Sequence, residues 1–275
     1  MLHRWRRFFV FAHRAPMAKE MPSTMPLSPG FYFLLCLAGL AAGFVDAVAG
    51  GGGMITVPAL LWAGLPPQIA LGTNKLQSSC GTLLAVSRYA RAGLIDWKQM
   101  RLIVPVTFAA AALGAWVVTL VSNDMLRKLV PWLLLIIAVY ALISPRLGLQ
   151  RGEARLPFPA FAWAAGGALG FYDGFFGPGT GSFWTVALIV LLGMELTRAT
   201  AFTKVVNLAS NLASLLIFLV ADCVRYDVAL AMIAGQLVGA RLGSGMVLKH
   251  GAPFVRVVFL GVVFALTAKL LWDSL

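Results

Sequence analysis

Long apolar segments follow one another along most of the chain, separated by short polar or glycine-rich stretches. Eight of them reach or approach the length of about 20 residues that a helix needs to cross a bilayer, and they lie at 31–49, 68–89, 102–121, 129–143, 161–176, 196–221, 228–248 and 254–272. Two shorter segments, 54–62 and 183–192, cannot cross alone because a helix rises only about 1.5 Å per residue. The pattern predicts an all-α integral membrane protein with about eight transmembrane helices and two short re-entrant or half-helices.

Each short segment follows a glycine-rich break that lies beside an aspartate. Residues 43–53 read GFVDAVAGGGG, and residues 170–181 read GFYDGFFGPGTG. An ionisable group at membrane depth is costly and usually functional, and irregular backbone survives there only inside the protein or beside a water-filled cavity. The two breaks, with Asp46 and Asp173, are therefore the first candidates for a functional site.

The second half of the chain repeats the first at a nearly constant offset in residue number. The offset between Asp46 and Asp173 is 127 (173 − 46), and the offset between Lys75 and Lys204 is 129 (204 − 75). Repeated halves with broken helices in matching places are typical of secondary transporters, whose binding site lies between the halves. The offset leaves open whether the repeats are parallel or inverted. We expect a basic, disordered cytoplasmic tail at 1–29, a first transmembrane repeat at 30–144, a linker at 145–159 and a second transmembrane repeat at 160–275.

Composition supports a membrane location and argues against several other classes of protein. The chain is 60% hydrophobic and 12% charged, whereas soluble domains carry roughly 25% charged residues. The net charge of +12 comes mostly from the tail and the loops, as the positive-inside rule predicts, and no stretch outside the membrane is long enough to fold into a nucleic-acid reader. The three cysteines and three histidines form no metal-ligand pattern. We therefore expect no nucleic-acid partner, no metal and no cofactor.

Four charged residues occupy matched positions inside the apolar segments, namely Asp46, Lys75, Asp173 and Lys204. They could form ion pairs that only hold helices together, because burial makes pairing nearly obligatory. They could also be functional, with an aspartate that couples transport to protons and a lysine that attracts an anion. The two interpretations are compatible, because an ion pair that opens on protonation is a switch.

The glycine breaks can offer backbone N–H groups to an anion, because each precedes a short helix whose N-terminus is the positive end of its dipole. The alternative is that the glycines only allow close helix packing. The sequence contains neither an ATP-binding P-loop nor a catalytic triad pattern, so we expect no enzyme and no catalytic residue. The candidate substrate-binding residues are Gly50, Gly51, Gly52, Gly53, Asn74, Lys75, Gln77, Gly177, Gly179, Gly181, Thr203, Lys204, Asn207 and Arg241, and Asp46 and Asp173 are the candidates for proton coupling or ion pairing.

Three motifs in the first half and one in the second carry a family resemblance. They are GFVDAVAGGGG at 43–53, TVP at 56–58, LGTNKLQ at 71–77 and GPGTG at 177–181, the last accompanied by Thr203, Lys204 and Asn207. From about residue 30 to its end, the chain thereby resembles the TauE/SafE sulfite-exporter-like family of bacterial membrane transporters. The resemblance implies a carrier of sulfur-containing anions, such as sulfite or sulfonates, in the cytoplasmic membrane. The Thr-Asn-Lys motif of the first half becomes Phe202-Thr203-Lys204 in the second, so the halves are not equivalent.

The leading hypothesis is a proton-coupled secondary transporter of small, sulfur-containing anions in the bacterial inner membrane, with its site near the bilayer midplane. The expected partners are a small-molecule anion and the lipid bilayer, and the oligomeric state stays open. A cation carrier or channel-like pore that uses the carboxylates is one alternative. A non-transporting membrane subunit or assembly factor is another, although such a protein gains little from costly buried charges.

Overall fold

All the regular structure in the described part of the chain is helical. The computed structural model describes residues 27–130, 132–133 and 153–274, and the prediction of an all-α protein is confirmed for them. A further helical stretch starts at residue 123, and the last helix is interrupted at Gly251, whose φ is +66°. The named helices are α1 (Pro29–Ala49), α2 (Gly53–Trp62), α3 (Pro67–Arg91), α4 (Trp97–Leu120), α5 (Phe158–Phe175), α6 (Thr180–Leu192), α7 (Leu196–Val220) and α8 (Tyr226–Ser274).

Among the described residues, four helices are long and apolar enough to cross a membrane. They are α1, α4, α7 and the Tyr226–Gly251 part of α8. The helices α2 and α6 are apolar but shorter, with 10 and 13 residues, as expected for the two short pieces. The expected spans at 68–89, 161–176 and 254–272 are helical, in α3, α5 and the last part of α8, but they are not among these four. The expected span at 129–143 lies mostly outside the described residues, so the total of about eight stays a prediction.

Glycines end α1 and precede α6, as the two breaks in the sequence predict. Gly50 follows α1 with a φ of +77°, and its N–H reaches the carbonyl oxygens of Val45 and Asp46. Gly179 precedes α6 with a φ of +81°. Both positions need a left-handed backbone, which glycine adopts without the steric cost of a side chain. The breaks therefore separate a long helix from a short one in each half of the chain.

The first helix of each half packs against the fourth helix of the other half. A Cβ placed on Gly43 of α1 would lie 2.4 Å from the carbonyl oxygen of Gln236 of α8. In the same way, a Cβ placed on Gly170 of α5 would lie 2.9 Å from the carbonyl oxygen of Thr107 of α4. The offset between Gly43 and Gly170 is 127 (170 − 43), and the offset between Thr107 and Gln236 is 129 (236 − 107). The two contacts therefore match, and glycine lets the helix backbones come this close.

The third helix of each half lies at the centre of the molecule. The helices α3 and α7 pack against each other, and each also contacts the fourth helix of the other half. In the 18-residue apolar stretch of α7 that could cross a membrane, 67% of the residues are buried, whereas the corresponding stretches of α1 and α4 are 33% buried. Both central helices carry polar residues in this buried environment, including Lys75 and Lys204. Their polar side chains must therefore find partners inside the protein.

Candidate functional site

Two buried ion pairs connect the halves of the chain. Lys75 Nζ of α3 lies 2.8 Å from Asp173 Oδ1 of α5, and Lys204 Nζ of α7 lies 3.3 Å from Asp46 Oδ1 of α1. Each lysine therefore pairs with the aspartate of the other half, and not with the aspartate that precedes it in its own half. Pairing avoids the large cost of an isolated charge in an apolar interior.

The two glycine breaks touch each other at Gly50 and Gly181. A Cβ on Gly50 would lie 2.6 Å from the carbonyl carbon of Gly181, and one on Gly181 would lie 2.4 Å from the carbonyl oxygen of Gly50. Ser182 Oγ also donates a hydrogen bond to the carbonyl oxygen of Ala49, at 3.3 Å. These contacts bring the N-terminal end of α6 beside the C-terminal end of α1.

A small cavity of about 30 Å³ lies at this junction. That volume holds roughly two water molecules. Each of its lining residues is a glycine or carries a charged, amide or hydroxyl group, so the lining is mostly polar. The lining consists of Asp46, Gly50, Gly53, Asn74, Lys75, Ser78, Asp173, Gly177, Gly179, Thr180, Gly181, Asn207 and Asn211.

Most of the site residues predicted from the sequence belong to this cavity. Two others lie directly behind its lining: Lys204 pairs with Asp46, and Gln77 Nε2 donates a hydrogen bond to Asn74 Oδ1 at 2.8 Å. The structure thus brings together candidates from both halves of the chain. The predicted residues in the lining itself are Asp46, Gly50, Gly53, Asn74, Lys75, Asp173, Gly177, Gly179, Gly181 and Asn207.

The remaining predicted residues lie away from the lining. Gly51 and Gly52 are buried in the first break. Thr203 is buried beside Thr185, with 3.2 Å between the two hydroxyl oxygens. Arg241 is exposed on α8, so its guanidinium points away from the packed interior and does not reach the cavity.

Three lining residues are absent from the set of candidates taken from the sequence, namely Ser78, Thr180 and Asn211. Helical spacing could have found two of them. Ser78 lies three positions after Lys75 (78 − 75), and Asn211 lies seven positions after Lys204 (211 − 204). These spacings keep each polar side chain on the same face of the helix as its lysine.

The Lys75–Asp173 pair has further hydrogen-bond partners. Lys75 Nζ also donates to Asn211 Oδ1 at 3.2 Å, and the hydroxyl of Ser210 donates to Asp173 Oδ2. The side chains of Lys75 and Asp173 are 2% and 5% exposed. Because each charge meets a neutral hydrogen-bonding group as well as its counter-ion, the pair is well stabilised in the interior.

The Lys204–Asp46 pair is more open. The side chain of Asp46 is 14% exposed and borders the cavity. The hydroxyl of Thr82 lies 3.5 Å from Asp46 Oδ2, at the limit of a hydrogen bond. Among the residues that the structure describes, Lys204 Nζ has no hydrogen-bond partner, although it keeps its ion pair. Both carboxylates meet one lysine and one hydroxyl, but the contacts of Asp46 are longer than those of Asp173.

Neighbouring donors fix the orientation of Asn74. Its Oδ1 accepts hydrogen bonds from Gln77 Nε2 at 2.8 Å, from Ser78 Oγ at 3.4 Å and from the hydroxyl of Thr56. The amide nitrogen is thus the end of Asn74 that remains for a ligand in the cavity. An N–H donor at this place suits a ligand with oxygen acceptors.

The N-terminal ends of α2 and α6 reach the cavity through Gly53, Thr180 and Gly181. Neither helix has a side-chain hydrogen bond at its N-terminal cap. The first N–H groups of a helix carry a partial positive charge, although the N–H of Thr180 already donates to the carbonyl oxygen of Gly177 at 3.2 Å. Together with Lys75 and Asn74, they give the cavity a set of donors that suits an anion.

Broken helices, paired buried charges and a polar cavity between helices are features found in membrane transporters. The family model of the sulfite exporter TauE/SafE matches residues 35–270 of the chain. The chain belongs to this family, and the prediction made from its glycine and lysine motifs is confirmed.

Several curated relatives match over nearly their whole length. "Probable membrane transporter protein YfcA" of Escherichia coli strain K12 is 40% identical over 252 residues, which cover 92% of this chain and 94% of the relative. A "Probable membrane transporter protein" of Haemophilus influenzae is 41% identical over 241 residues, covering 88% and 94%. YunE of Bacillus subtilis, with the same description, is 22% identical over 269 residues, covering 89% and 98%. No solved structure matches the chain significantly.

Proposed function

We propose that this protein is a secondary transporter that moves a small, sulfur-containing oxyanion, such as sulfite or a sulfonate, together with a proton. The observation that carries the proposal is the two reciprocal ion pairs, Lys75–Asp173 and Lys204–Asp46, beside a mostly polar cavity. The family supplies the class of protein, and the chemistry of the cavity supports the sign of the substrate.

The charges of the site favour the joint movement of an anion and a proton. The two lysines and two aspartates sum to zero, so an anion that enters alone adds an uncompensated buried charge, which is costly. A proton on one aspartate frees the paired lysine for the anion and keeps the site neutral. Asp46 is the better placed carboxylate for this step, because its side chain is more exposed than that of Asp173 and its contacts with Lys204 and Thr82 are longer.

The donors around the cavity support an oxyanion as the substrate. Lys75, the amide nitrogen of Asn74 and the N-terminal ends of α2 and α6 all offer hydrogens to an acceptor. Other predicted substrate-binding residues lie in the lining or directly behind it, namely Gly50, Gln77, Gly177, Gly179, Lys204 and Asn207. Gly51, Gly52, Thr203 and the exposed Arg241 lie away from the lining and can contact the anion only after the site rearranges. The present volume of about 30 Å³ means that the site must widen to admit the anion.

We further propose that the chain consists of two homologous repeats with about eight spans in the bacterial inner membrane. The matching contacts of Gly43 with Gln236 and of Gly170 with Thr107 support this arrangement. The reciprocal ion pairs support it as well, because the paired aspartates and the paired lysines have nearly equal offsets, 127 (173 − 46) and 129 (204 − 75). A two-fold arrangement places the site between the repeats, where one repeat can move against the other.

Transport by the purified protein in lipid vesicles tests the proposed function. Wild-type vesicles should accumulate labelled sulfite or a labelled sulfonate when the compartment that supplies the anion is made more acidic. Lys75→Met and Lys204→Met should lose most of this uptake, because each removes a positive charge that the anion needs. The matched control is Lys249→Met, which removes an exposed lysine of α8 and should transport like wild type.

Three outcomes would contradict the proposal in different ways. Uptake at the wild-type rate in both lysine variants would refute the anion site. Uptake of a cation that is lost in Asp46→Asn but kept in Lys75→Met would favour a carboxylate-based cation carrier. A purified chain that moves neither kind of ion, and that co-purifies with a partner in mild detergent, would favour a non-transporting subunit.

Ligand-induced stabilisation identifies the substrate independently of flux. A ligand present at about 100 times its Kd should stabilise the folded protein by about 2.7 kcal/mol. The purified protein is therefore heated in the presence of sulfite, sulfonates, thiosulfate, carboxylates or metal cations. We expect a rise in the unfolding temperature only with the sulfur oxyanions, and the rise should disappear in Lys75→Met.

A further inference from the structure

Arg241 carries a positive charge in the membrane-crossing part of α8, away from the cavity. The crossing part is Tyr226–Gly251, and Arg241 is exposed on it. Arg241 takes part in none of the three ion pairs found among the described residues. A charge on the lipid-facing surface of a span is costly unless it reaches water or an anion. The groups beside Arg241 on this surface therefore indicate what it can bind.

The guanidinium of Arg88 lies on the same surface. Arg88 is in the last turn of α3, and a Cβ on Gly245 of α8 would lie 3.0 Å from Arg88 Nη2. Gly245 follows Arg241 by four positions (245 − 241), so the two share a face of α8 about one helical turn apart. Two arginines from two helices thus lie close together at the edge of the α3–α8 interface.

Burial holds the guanidinium of Arg88 in place without neutralising it. Its Nε is buried and has no hydrogen-bond partner in the described part of the chain, and Arg88 is absent from the ion pairs of that part. Two positive charges about one helical turn apart repel each other. An oxyanion that accepts hydrogen bonds from both guanidinium groups would remove this repulsion.

The corresponding surface in the other half of the chain is apolar. There α4 packs on α7 as α8 packs on α3. At the offset of 129, the counterparts of Arg88, Arg241 and Gly245 are Ile217 (217 − 88), Ala112 (241 − 112) and Trp116 (245 − 116). The packing of these helices therefore does not require the two arginines, and their presence in one half indicates a binding role.

Arg88 lies near the level of the membrane surface. It precedes the end of α3 by three residues (91 − 88), or about 4.5 Å. Trp97, the first residue of α4, is exposed, and tryptophan is enriched at the level of the lipid headgroups. Arg241 lies about one turn deeper, and its long side chain can extend toward the same level.

Exposed leucines cover the surface on the deeper side of the two arginines. Leu237 and Leu230 precede Arg241 on α8 by four (241 − 237) and eleven (241 − 230) residues, so they share its face of the helix. Leu83 is exposed on α3, five residues before Arg88 (88 − 83). A ligand at this surface meets positive charge near the headgroups and apolar side chains below them. This arrangement suits a charged headgroup with an acyl chain better than it suits a free ion.

The end of the molecule that carries Arg88 is basic. The α3–α4 loop contributes Asp96, but four further exposed cations lie at or near this end, namely Arg91, Lys98, Arg101 and Lys249. By the positive-inside rule, such an end faces the cytoplasm. The cytoplasmic leaflet is rich in anionic lipids, which bind basic pockets between transmembrane helices.

We propose that Arg88 and Arg241 bind the phosphate group of an anionic phospholipid, such as phosphatidylglycerol, whose acyl chain lies over the leucines of α3 and α8. A guanidinium group binds a phosphate through two parallel hydrogen bonds. The site lies on the outer surface of the α3–α8 interface, apart from the cavity, so the inference does not depend on the transported substrate.

The site is tested by measuring the unfolding temperature of the purified protein in detergent at increasing mole fractions of phospholipid. Phosphatidylglycerol should raise the unfolding temperature of the wild type. Phosphatidylcholine with the same acyl chains, which has no net charge, should not, and neither should inorganic phosphate. Arg88→Ile/Arg241→Ala copies the residues of the other half. It should need roughly 30-fold more phosphatidylglycerol for half of the rise, because each arginine near a headgroup increases the affinity about fivefold.

The matched control is Arg127→Ala/Lys128→Ala, which removes two exposed cations from the helical stretch after α4. It lowers the net charge by the same amount and should respond to phosphatidylglycerol like the wild type. Arg241→Ala alone replaces one exposed side chain and covers the case in which the double arginine variant does not fold. It should need about fivefold more phosphatidylglycerol.

Equal responses of the wild type and of the arginine variants to phosphatidylglycerol would overturn the inference. A weakened response of the same size in Arg127→Ala/Lys128→Ala would do so as well, because it would show that only the net charge matters. A rise with inorganic phosphate as large as that with phosphatidylglycerol would show an ordinary anion site in place of a lipid site. Equal rises with the two phospholipids would show that the headgroup charge has no part in the binding.

Discussion

Lys75 and Asp173 are 98 residues apart in the chain, and their charged atoms lie 2.8 Å apart in the interior. The contact joins the third helix of one half to the first helix of the other. The reciprocal contact between Lys204 and Asp46 does the same in the opposite direction. The two ion pairs therefore hold the halves together at the place where the proposed transporter would have to open.

Lys75→Met should destabilise the protein by about 3–5 kcal/mol, because it leaves the carboxylate of Asp173 buried without a counter-ion. Lys75→Met/Asp173→Asn should recover much of that loss, since no uncompensated charge remains. Chemical unfolding of the purified variants in detergent measures both free energies. Effects that simply add in the double variant would contradict the ion pair.

An ion pair near the surface provides the control for this cycle. The side chains of Arg225 and Asp227 are 16% and 45% exposed, with 3.1 Å between their nearest atoms. Exposed pairs contribute only about 0–1 kcal/mol. Asp227→Asn should therefore change the free energy of unfolding far less than Lys75→Met.

Gly181→Ala should impair transport, because its methyl group would collide with the carbonyl oxygen of Gly50 at 2.4 Å. Overpacking of this kind costs about 1–3 kcal/mol and would separate the two breaks that form the cavity. Vesicle uptake and the unfolding temperature are measured together. The control is Gly64→Ala, in a turn outside the site. A Cβ on Gly64 meets no atom within 4 Å, although the φ of +85° adds local strain. Uptake in Gly181→Ala equal to that in Gly64→Ala would contradict the contact.

Two glycines of α5 form a matched test of helix packing. A Cβ on Gly174 would lie 2.0 Å from the carbonyl oxygen of Ala111 on α4, whereas one on Gly167 meets nothing within 4 Å. Gly174→Ala should therefore lower the unfolding temperature, and Gly167→Ala should leave it unchanged or raise it slightly, since alanine favours helix by about 1 kcal/mol. Equal effects of the two substitutions would show that α4 and α5 are not packed this closely.

Cys223, in the loop between α7 and α8, should react slowly with maleimide at neutral pH. Burial, assisted by the nearby Asp222, raises the pKa of its thiol to about 11, so the reactive thiolate is on the order of 100-fold less populated than in an ordinary cysteine. The reaction should accelerate as the pH rises toward that pKa. The rate is measured by labelling the double variant Cys36→Ala/Cys80→Ala, in which Cys223 is the one cysteine left in the sequence.

The control for this labelling moves the thiol to an exposed neighbour. Ala221→Cys, combined with Cys223→Ser in the same background, places the thiol at an exposed position of the loop. It should react much faster at neutral pH. Equal rates for the two thiols would contradict the burial of Cys223.

By itself, the amino-acid sequence determined the helical class, the two breaks, the matched charges and the family. These features are local or periodic. The length of an apolar segment predicts a helix, and glycine permits the left-handed backbone at Gly50 and Gly179. The nearly constant difference in residue number between matched residues of the two halves can be read from the sequence alone. The candidates in the lining, from Asp46 to Asn207, follow from the same signals because polar groups at membrane depth need a functional reason.

The tertiary structure decided which of these groups meet. Asp46 could have paired with Lys75 of its own half, but the packing of α1 on α8 and of α5 on α4 directs each lysine to the aspartate of the other half. The same packing leaves Arg241 exposed and brings Gln236 against Gly81. A helix pattern shows which residues share a face, but only the arrangement of neighbouring helices determines what that face contacts.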